Sequence, residues 1–426
     1  MNQNDTVRKA SVMAENLIPS EIIKLGNEIN QRIKSGEPIF NLTIGDFDPS
    51  IFPLPQEMTE EIARAYKEGK TNYPAANGVP ELRQILSKRI EKNLNVSYSE
   101  NDILISAGAR PLIYAVYKSI IDPGDSVAYG LPSWNNNHYC HLSGAQAVEF
   151  SLGPDDHFIP ERKHLESVID QVSLLALCSP QNPTGTTFTK EKLYSICELV
   201  LQENEKRKGI KKPLYLMYDQ IYWQLCFGET RHVHPVELMP ELKDYVIYID
   251  GLSKTYAATG VRVGWAFGPS HIIDKMKSIL SHVGAWAPKA EQHAVAEYLS
   301  NDEWSTRYLN WFIPEIEYRL KSLYQGIQKL TDEGFPIRAI VPEAAIYLTV
   351  QFPWKGYTTQ QGKLLANTQD VLNYIIDRTK VAVVPFKAFG ASAESDWCRI
   401  SVGTLKKEDI PGIIQGLRDG MQALRK

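Results

Sequence analysis

The strongest constraint on this chain is an alternation running from about Pro55 to Leu299. Short apolar runs (ILIS, DSVAYG, SLLALCS, LYLMYD, YVIYID and VGWAFG) are separated by helix-period segments such as RPLIYAVYKSII and KEKLYSICELVLQEN. Strands interleaved with helices predict alpha/beta units around a mostly parallel sheet covered on both faces. A helix from Pro19 to Lys34 and an extended segment, FNLTIGDFDP, precede this region. From about Asp302 a long amphipathic helix interrupts the alternation, and Pro314 should start or kink one of its parts. The strands AIYLTVQF, VAVVPF and CRISVG and two closing helices then predict a second, smaller alpha+beta region. At 426 residues the chain has room for a large core and two subdomains.

Composition excludes some partners. A net charge of -4, with 43% apolar and 23% charged residues, describes a soluble globular chain. It gives no electrostatic reason to expect nucleic acid or an anionic membrane as partner. No apolar stretch approaches the ~20 residues that span a bilayer, and the first residues lack the pattern of a cleaved leader. The five cysteines are scattered, odd in number and free of CxxC spacing, so buried thiols are expected rather than a disulfide framework or a metal site. The expected compartment is the cytoplasm.

Ligands of open alpha/beta sheets bind at the carboxyl ends of the strands. Asp219 closes LYLMYD, Asn182 follows SLLALCSPQ, Ser253 and Lys254 follow YVIYID, and Gly108 follows ILISA. Four strand exits thus bring a carboxylate, an amide, an amine and a small-residue turn to one side. The turn ISAGARPL suits a phosphate on the amides of Gly108, Ala109 and Arg110 at a helix N-terminus, and equally a plain strand-helix connection. Arg262, among Val261, Val263 and Trp265, is an independent candidate for the same phosphate. Lys254 is either a solvated loop lysine or an amine whose pKa is lowered enough to form a Schiff base. Asp219 either caps a helix or pairs with a positive group such as a protonated pyridine. Tyr222, three residues on, could aim its hydroxyl at the same ring.

Together these residues resemble the lysine signature of the class I/II aminotransferases, pyridoxal-phosphate enzymes of fold type I. GLSKTYAATGVRVG carries Gly251, Ser253, Lys254, Ala257, Gly260, Arg262 and Gly264 in register, and NYPAANGVPELR, AGARPL, LPSWNNNH, SPQNPTG, YDQIYWQL and CRISVG appear in order. The resemblance spans nearly the whole chain and lies nearest the aspartate aminotransferases. It implies a mostly parallel seven-stranded sheet in a large pyridoxal-phosphate-binding domain (50–305). A smaller alpha+beta domain would be formed by 1–49 and 306–426.

The resemblance also implies roles. Lys254 would carry pyridoxal 5'-phosphate as a Schiff base and shuttle the substrate proton, in a ping-pong transfer from an L-amino acid to a 2-oxo acid. Asp219 would keep the pyridine nitrogen protonated, Asn182 and Tyr222 would bond the ring's phenolic oxygen, and Trp134 would stack on the ring or else be a core tryptophan. Gly108, Ala109, Ser253 and Arg262 would hold the phosphate, with Tyr73 reaching that of a neighbouring subunit in a homodimer. Arg399, unless it serves a structural ion pair, would clamp the substrate carboxylate with help from Gly45. The chain departs from some relatives at Gly251, where they carry a hydroxyl, and at Ala109, where a substrate-reading lysine can stand. Arg110 could then read an acidic side chain or bind phosphate, and Lys289 is another candidate reader. Phe47 and Trp286 would equally suit a bulky substrate. A C-S lyase, decarboxylase or cyclopropane-forming synthase could carry the same residues. A transcription regulator with such a domain would need a DNA-binding helix-turn-helix domain, for which the segment before Ile44 leaves no room.

Overall fold

In the computed structural model, which describes residues 9–426, helix α1 (Glu21–Lys34) forms where one was expected. The alternating region folds into a seven-stranded sheet. Its strands are β1 (Ile103–Ser106), β2 (Ser126–Leu131), β3 (Gln146–Ser151), β4 (Val172–Cys178), β5 (Tyr215–Asp219), β6 (Val246–Gly251) and β7 (Gly264–Phe267). They lie in the order β1-β7-β6-β5-β4-β2-β3. Every pairing is parallel except those of β7, which runs antiparallel to both β1 and β6. The carboxyl ends of β1, β2, β4, β5 and β6 therefore share one edge. Strand β3 is not among the apolar runs of the sequence. It is one of the two edge strands, and its residues QAVEFS are largely exposed.

Alternation along β6 shows why the runs are continuously apolar. Val246 and Tyr248 join the core on one face, while Ile247 and Ile249 join the core on the other. Helix α2 (Ala109–Ile120) closes the second face with Leu112, Val116 and Ile120, one helical turn apart.

Helix α3 (Asp302–Asp332) belongs to two cores. Trp304, Tyr308 and Leu309 pack against the sheet's core, and Phe312, Ile316, Leu320, Leu323, Ile327 and Leu330 form a stripe in the next. The helix continues through Pro314 instead of starting there. The carbonyl that loses its N–H partner belongs to Asn310, an exposed residue where water can take over the bond. Beyond α3, strands β8 (Arg338–Ala339), β9 (Tyr347–Gln351), β10 (Val384–Pro385) and β11 (Trp397–Ser401) form an antiparallel sheet in the order β10-β11-β9-β8. Helix α4 (Ile410–Gln422) adds Ile413, Leu417 and Met421 to this second core. No helix among the described residues is long and apolar enough to cross a membrane.

Candidate active site

A cavity of about 330 Å³ opens where the strand exits meet the second core. Two backbone turns set its frame. Gly108 leaves β1 with φ 90° and caps α2, and a Cβ there would lie within the Arg262 guanidinium. Arg262 is held against that turn by bonds to the Ala107 carbonyl (2.8 Å) and the Thr259 carbonyl (2.7 Å). The two phosphate candidates are thus one structural unit. The second turn, Leu252–Thr255, follows β6 and carries Ser253 and Lys254. A Cβ on Gly251 would lie 2.9 Å from Gly264 Cα, and one on Gly264 would lie 2.7 Å from the Gly108 carbonyl carbon. Three glycine backbones in contact leave no room for a side chain at position 251.

Lys254 points into the cavity, where Nζ donates to the Gly45 carbonyl at 2.6 Å. Burial is the main cause that lowers its pKa to about 8; Arg399, Arg110 and Arg262 add to the shift, and Asp46 opposes it. Asp219, at the end of β5, accepts only the Ile221 N–H (3.1 Å) and makes no ion pair among the described residues. Burial pushes its carboxyl up to about 6. A carboxylate kept from water without a cation is costly, so the site is built for a positive group that the chain does not supply.

Arg399, on β11, is 2% exposed. It donates to Asn182 Oδ1 (3.0 Å) and the Thr43 carbonyl (2.8 Å), its Nε has no partner, and its guanidinium lies 4.5 Å from the Tyr347 ring centre. It forms no ion pair among the described residues, so the structural ion pair open to it from sequence is absent. With Oδ1 taken by Arg399, the Asn182 amide can still donate into the cavity. Tyr222 meets Tyr347 hydroxyl to hydroxyl at 2.6 Å. Trp134 and Arg110 both line the cavity, the guanidinium carbon 4.8 Å from the indole ring centre.

The structure therefore brings Gly45, Ala109, Arg110, Trp134, Asn182, Asp219, Tyr222, Ser253, Lys254, Arg262 and Arg399 to one cavity, with Gly108 at its rim. Tyr73 stands apart. It is 82% exposed and meets Trp286 edge-on, with ring centres 5.3 Å apart. Lys289 is also outside the cavity, donating to Asn72 Oδ1 at 2.8 Å on the surface. Sequence reasoning passed over Tyr347, Asp46 and Thr259, all of which line the cavity. Asp46 accepts the Thr259 hydroxyl at 2.6 Å. The one available signal was that Asp46 directly follows Gly45.

Pyridoxal phosphate fits this arrangement. The carboxyl of Asp219 lacks a cation, three arginines and a lysine face the cavity, and a glycine turn with Arg262 marks an anion's place. Comparison with known proteins agrees. The family described as "Aminotransferase class I and II" matches residues 37–417. A probable aspartate/prephenate aminotransferase of Rickettsia felis is 28% identical over 409 residues, covering 93% of each chain. The aspartate aminotransferase of Bacillus subtilis is 26% identical over 378 residues, 88% of this chain and 90% of that one. Among solved structures, the aspartate aminotransferase of Rhizobium meliloti superposes with a TM-score of 0.88 at 24% identity, over 98% of this chain and 100% of its own. That of Thermus thermophilus with maleate gives 0.84 at 25%, over 97% and 100%. With the match running through both cores and the cavity between them, the chain belongs to the class I and II aminotransferases, enzymes of fold type I that use pyridoxal phosphate.

Proposed function

We propose that this chain moves the amino group of an L-amino acid to a 2-oxo acid in two alternating half-reactions, with Lys254 as the proton-carrying amine. The observation that carries the reading is a pair of groups at neighbouring strand ends: an amine held near neutrality and a carboxyl with no cation, both facing one cavity. Pyridoxal phosphate, when bound, supplies an aldehyde and an electron-withdrawing ring. Asp219 holds a proton on the ring nitrogen, because that cation satisfies a carboxylate otherwise stranded from water. Tyr222 and Asn182 donate to the ring oxygen, and Trp134 gives the ring a flat apolar face. Gly108, Ala109, Ser253 and Arg262 hold the phosphate. Arg399 grips the substrate carboxylate in two-pronged fashion, backed by Gly45, which fixes the bond at the alpha carbon presented to Lys254. An amine with a pKa of about 8 can both take that proton and return it at neutral pH.

Arg110 is the cavity's remaining cation. It makes no ion pair among the described residues and leans on Trp134. That placement suits the side-chain carboxylate of an acidic donor, the class in the relatives' names. Arg110→Gln is expected to raise KM for aspartate or glutamate about tenfold, roughly 1.4 kcal/mol, and to leave KM for alanine within about twofold. A loss of pyridoxal-phosphate affinity instead would move this guanidinium to the phosphate.

The functional unit is a homodimer in the cytoplasm, with residues 50–305 as the cofactor domain and 1–49 with 306–426 as the smaller one. The exposure of Tyr73 supports shared sites, since the residue lies outside its own chain's cavity and is open to a second copy. The five free cysteines suit a reducing compartment. The decisive experiment mixes the loaded enzyme with one amino acid and no 2-oxo acid. One equivalent of the matching 2-oxo acid per site is expected, and then no further reaction. Continuous release of pyruvate and ammonia would place the chain among the lyases.

A further inference from the structure

The second core contributes one aromatic side chain to the cavity that neither the lysine signature nor the strand-exit rule singles out. Tyr347 opens β9, the strand paired with β11, and is buried beside Arg399. Its hydroxyl lies 2.6 Å from that of Tyr222, with the two rings edge-on at 5.5 Å. A Cβ on Gly45 would come within 2.9 Å of the same hydroxyl, so the main chain closes its other side. Tyr347 thus touches the residue assigned to the ring oxygen and the residue assigned to the substrate carboxylate.

A hydroxyl has one proton to give, so at 2.6 Å one of these phenols donates and the other accepts. Whichever accepts keeps its own proton for a third partner. The Arg399 cation against the Tyr347 ring favours one direction. Burial raises both phenols, and at Tyr347 the nearby Arg399 charge is the first influence to oppose that rise. At Tyr222 the neighbouring Tyr347 phenol, through its charge and then its bond, reinforces the rise, and Arg399 opposes it only after both. Tyr347 is therefore the more acidic phenol and the better donor. Asp46 and Cys178 are the other titratable groups felt at Tyr347, and both act in the opposite sense to Arg399 but more weakly.

We propose that Tyr347 is a positioning residue acting through Tyr222: its hydroxyl donates to Tyr222 Oη and so aims Tyr222's own proton at the ring oxygen of bound pyridoxal phosphate. The proposal rests on the role given to Tyr222 above. A donor bonded to Tyr222's oxygen also strengthens the bond that Tyr222 makes onward. A ring oxyanion stabilised in this way holds the proton on the neighbouring Lys254 nitrogen less tightly.

The test is the absorption of the bound cofactor followed against pH in loaded enzyme without substrate, which reads that proton and not turnover. Tyr347→Phe keeps the ring against Arg399 and removes only the hydroxyl. It is expected to move the titration midpoint upward by roughly half a pH unit, about a threefold change in proton affinity. Tyr222→Phe should move it further in the same direction, and the double variant should match Tyr222→Phe alone. A Tyr347→Phe protein that titrates like wild type, beside a shifted Tyr222→Phe, would overturn the role of Tyr347 alone. Additive shifts in the double variant would overturn action through Tyr222. If neither single variant shifts, the assignment of Tyr222 falls as well.

Discussion

Lys254→Ala is expected to leave a folded protein that binds pyridoxal phosphate without a covalent link and turns over roughly 10⁴-fold or more slowly. Borohydride treatment of the wild-type holoenzyme should leave a pyridoxyl group on the peptide containing Lys254, and the variant should carry none. Attachment to a different lysine in the variant would refute the assignment. The same substitution has an opposite effect on the protein without cofactor. The amine's pKa falls from 10.5 to about 8 on folding, so the unfolded chain binds this proton more tightly. Wild-type stability should therefore rise with pH between about 8 and 10.5, and below that window the buried charge costs on the order of 3 kcal/mol. Lys254→Ala removes that dependence, which urea unfolding at pH 7 and pH 10 would show.

Asp219→Asn separates electron withdrawal from packing. The amide has nearly the same shape but cannot hold a proton on the ring nitrogen by charge. Loaded enzyme should lose turnover by about 10³-fold, or ~4 kcal/mol of transition-state stabilisation. Without cofactor the sign reverses. The Asp219 pKa is raised from 3.8 to about 6 on folding, so its contribution to stability is fully present below pH 3.8 and is lost as pH rises through 6. At pH 8 the cofactor-free Asn variant should be at least as stable as wild type. A variant that loses stability at pH 8 together with activity would instead make the charge of this carboxylate a need of the empty fold, since the amide oxygen can still accept the Ile221 N–H. On the proposed reading Lys254 and Asp219 share a logic: each is costly to the empty fold, and bound cofactor would offset that cost.

Most of the large sheet was legible because both of its faces are buried, which writes each central strand as an unbroken apolar run. Strand β3, at one edge, carries no such mark, since half of QAVEFS needs no burial. The strand-exit rule located Asn182, Asp219, Ser253 and Lys254 without any family knowledge, because direction of travel and sequence position fix which end of a parallel strand carries what. Arg399 and Tyr347 sit in the antiparallel sheet of the second core, where no rule of that kind applies. Arg399 was reached by resemblance. Tyr347, one of 21 tyrosines, was missed because its hydroxyl partner is 125 positions away in the chain. Pro314 does not start a helix for a simpler reason: a proline inside a helix is tolerated when the orphaned carbonyl can meet water.

The contact of Gly108, Gly264 and Gly251 bears on how such an enzyme can diversify. The span from Lys254 to the turn at Gly108 is set by main chain touching main chain, with no side chain between to wear or swell. Donor preference would be read instead by side chains such as Arg110. Those positions can be rewritten over evolutionary time while the reach between the two anchoring points stays constant, so a change of diet need not disturb the grip on the vitamin.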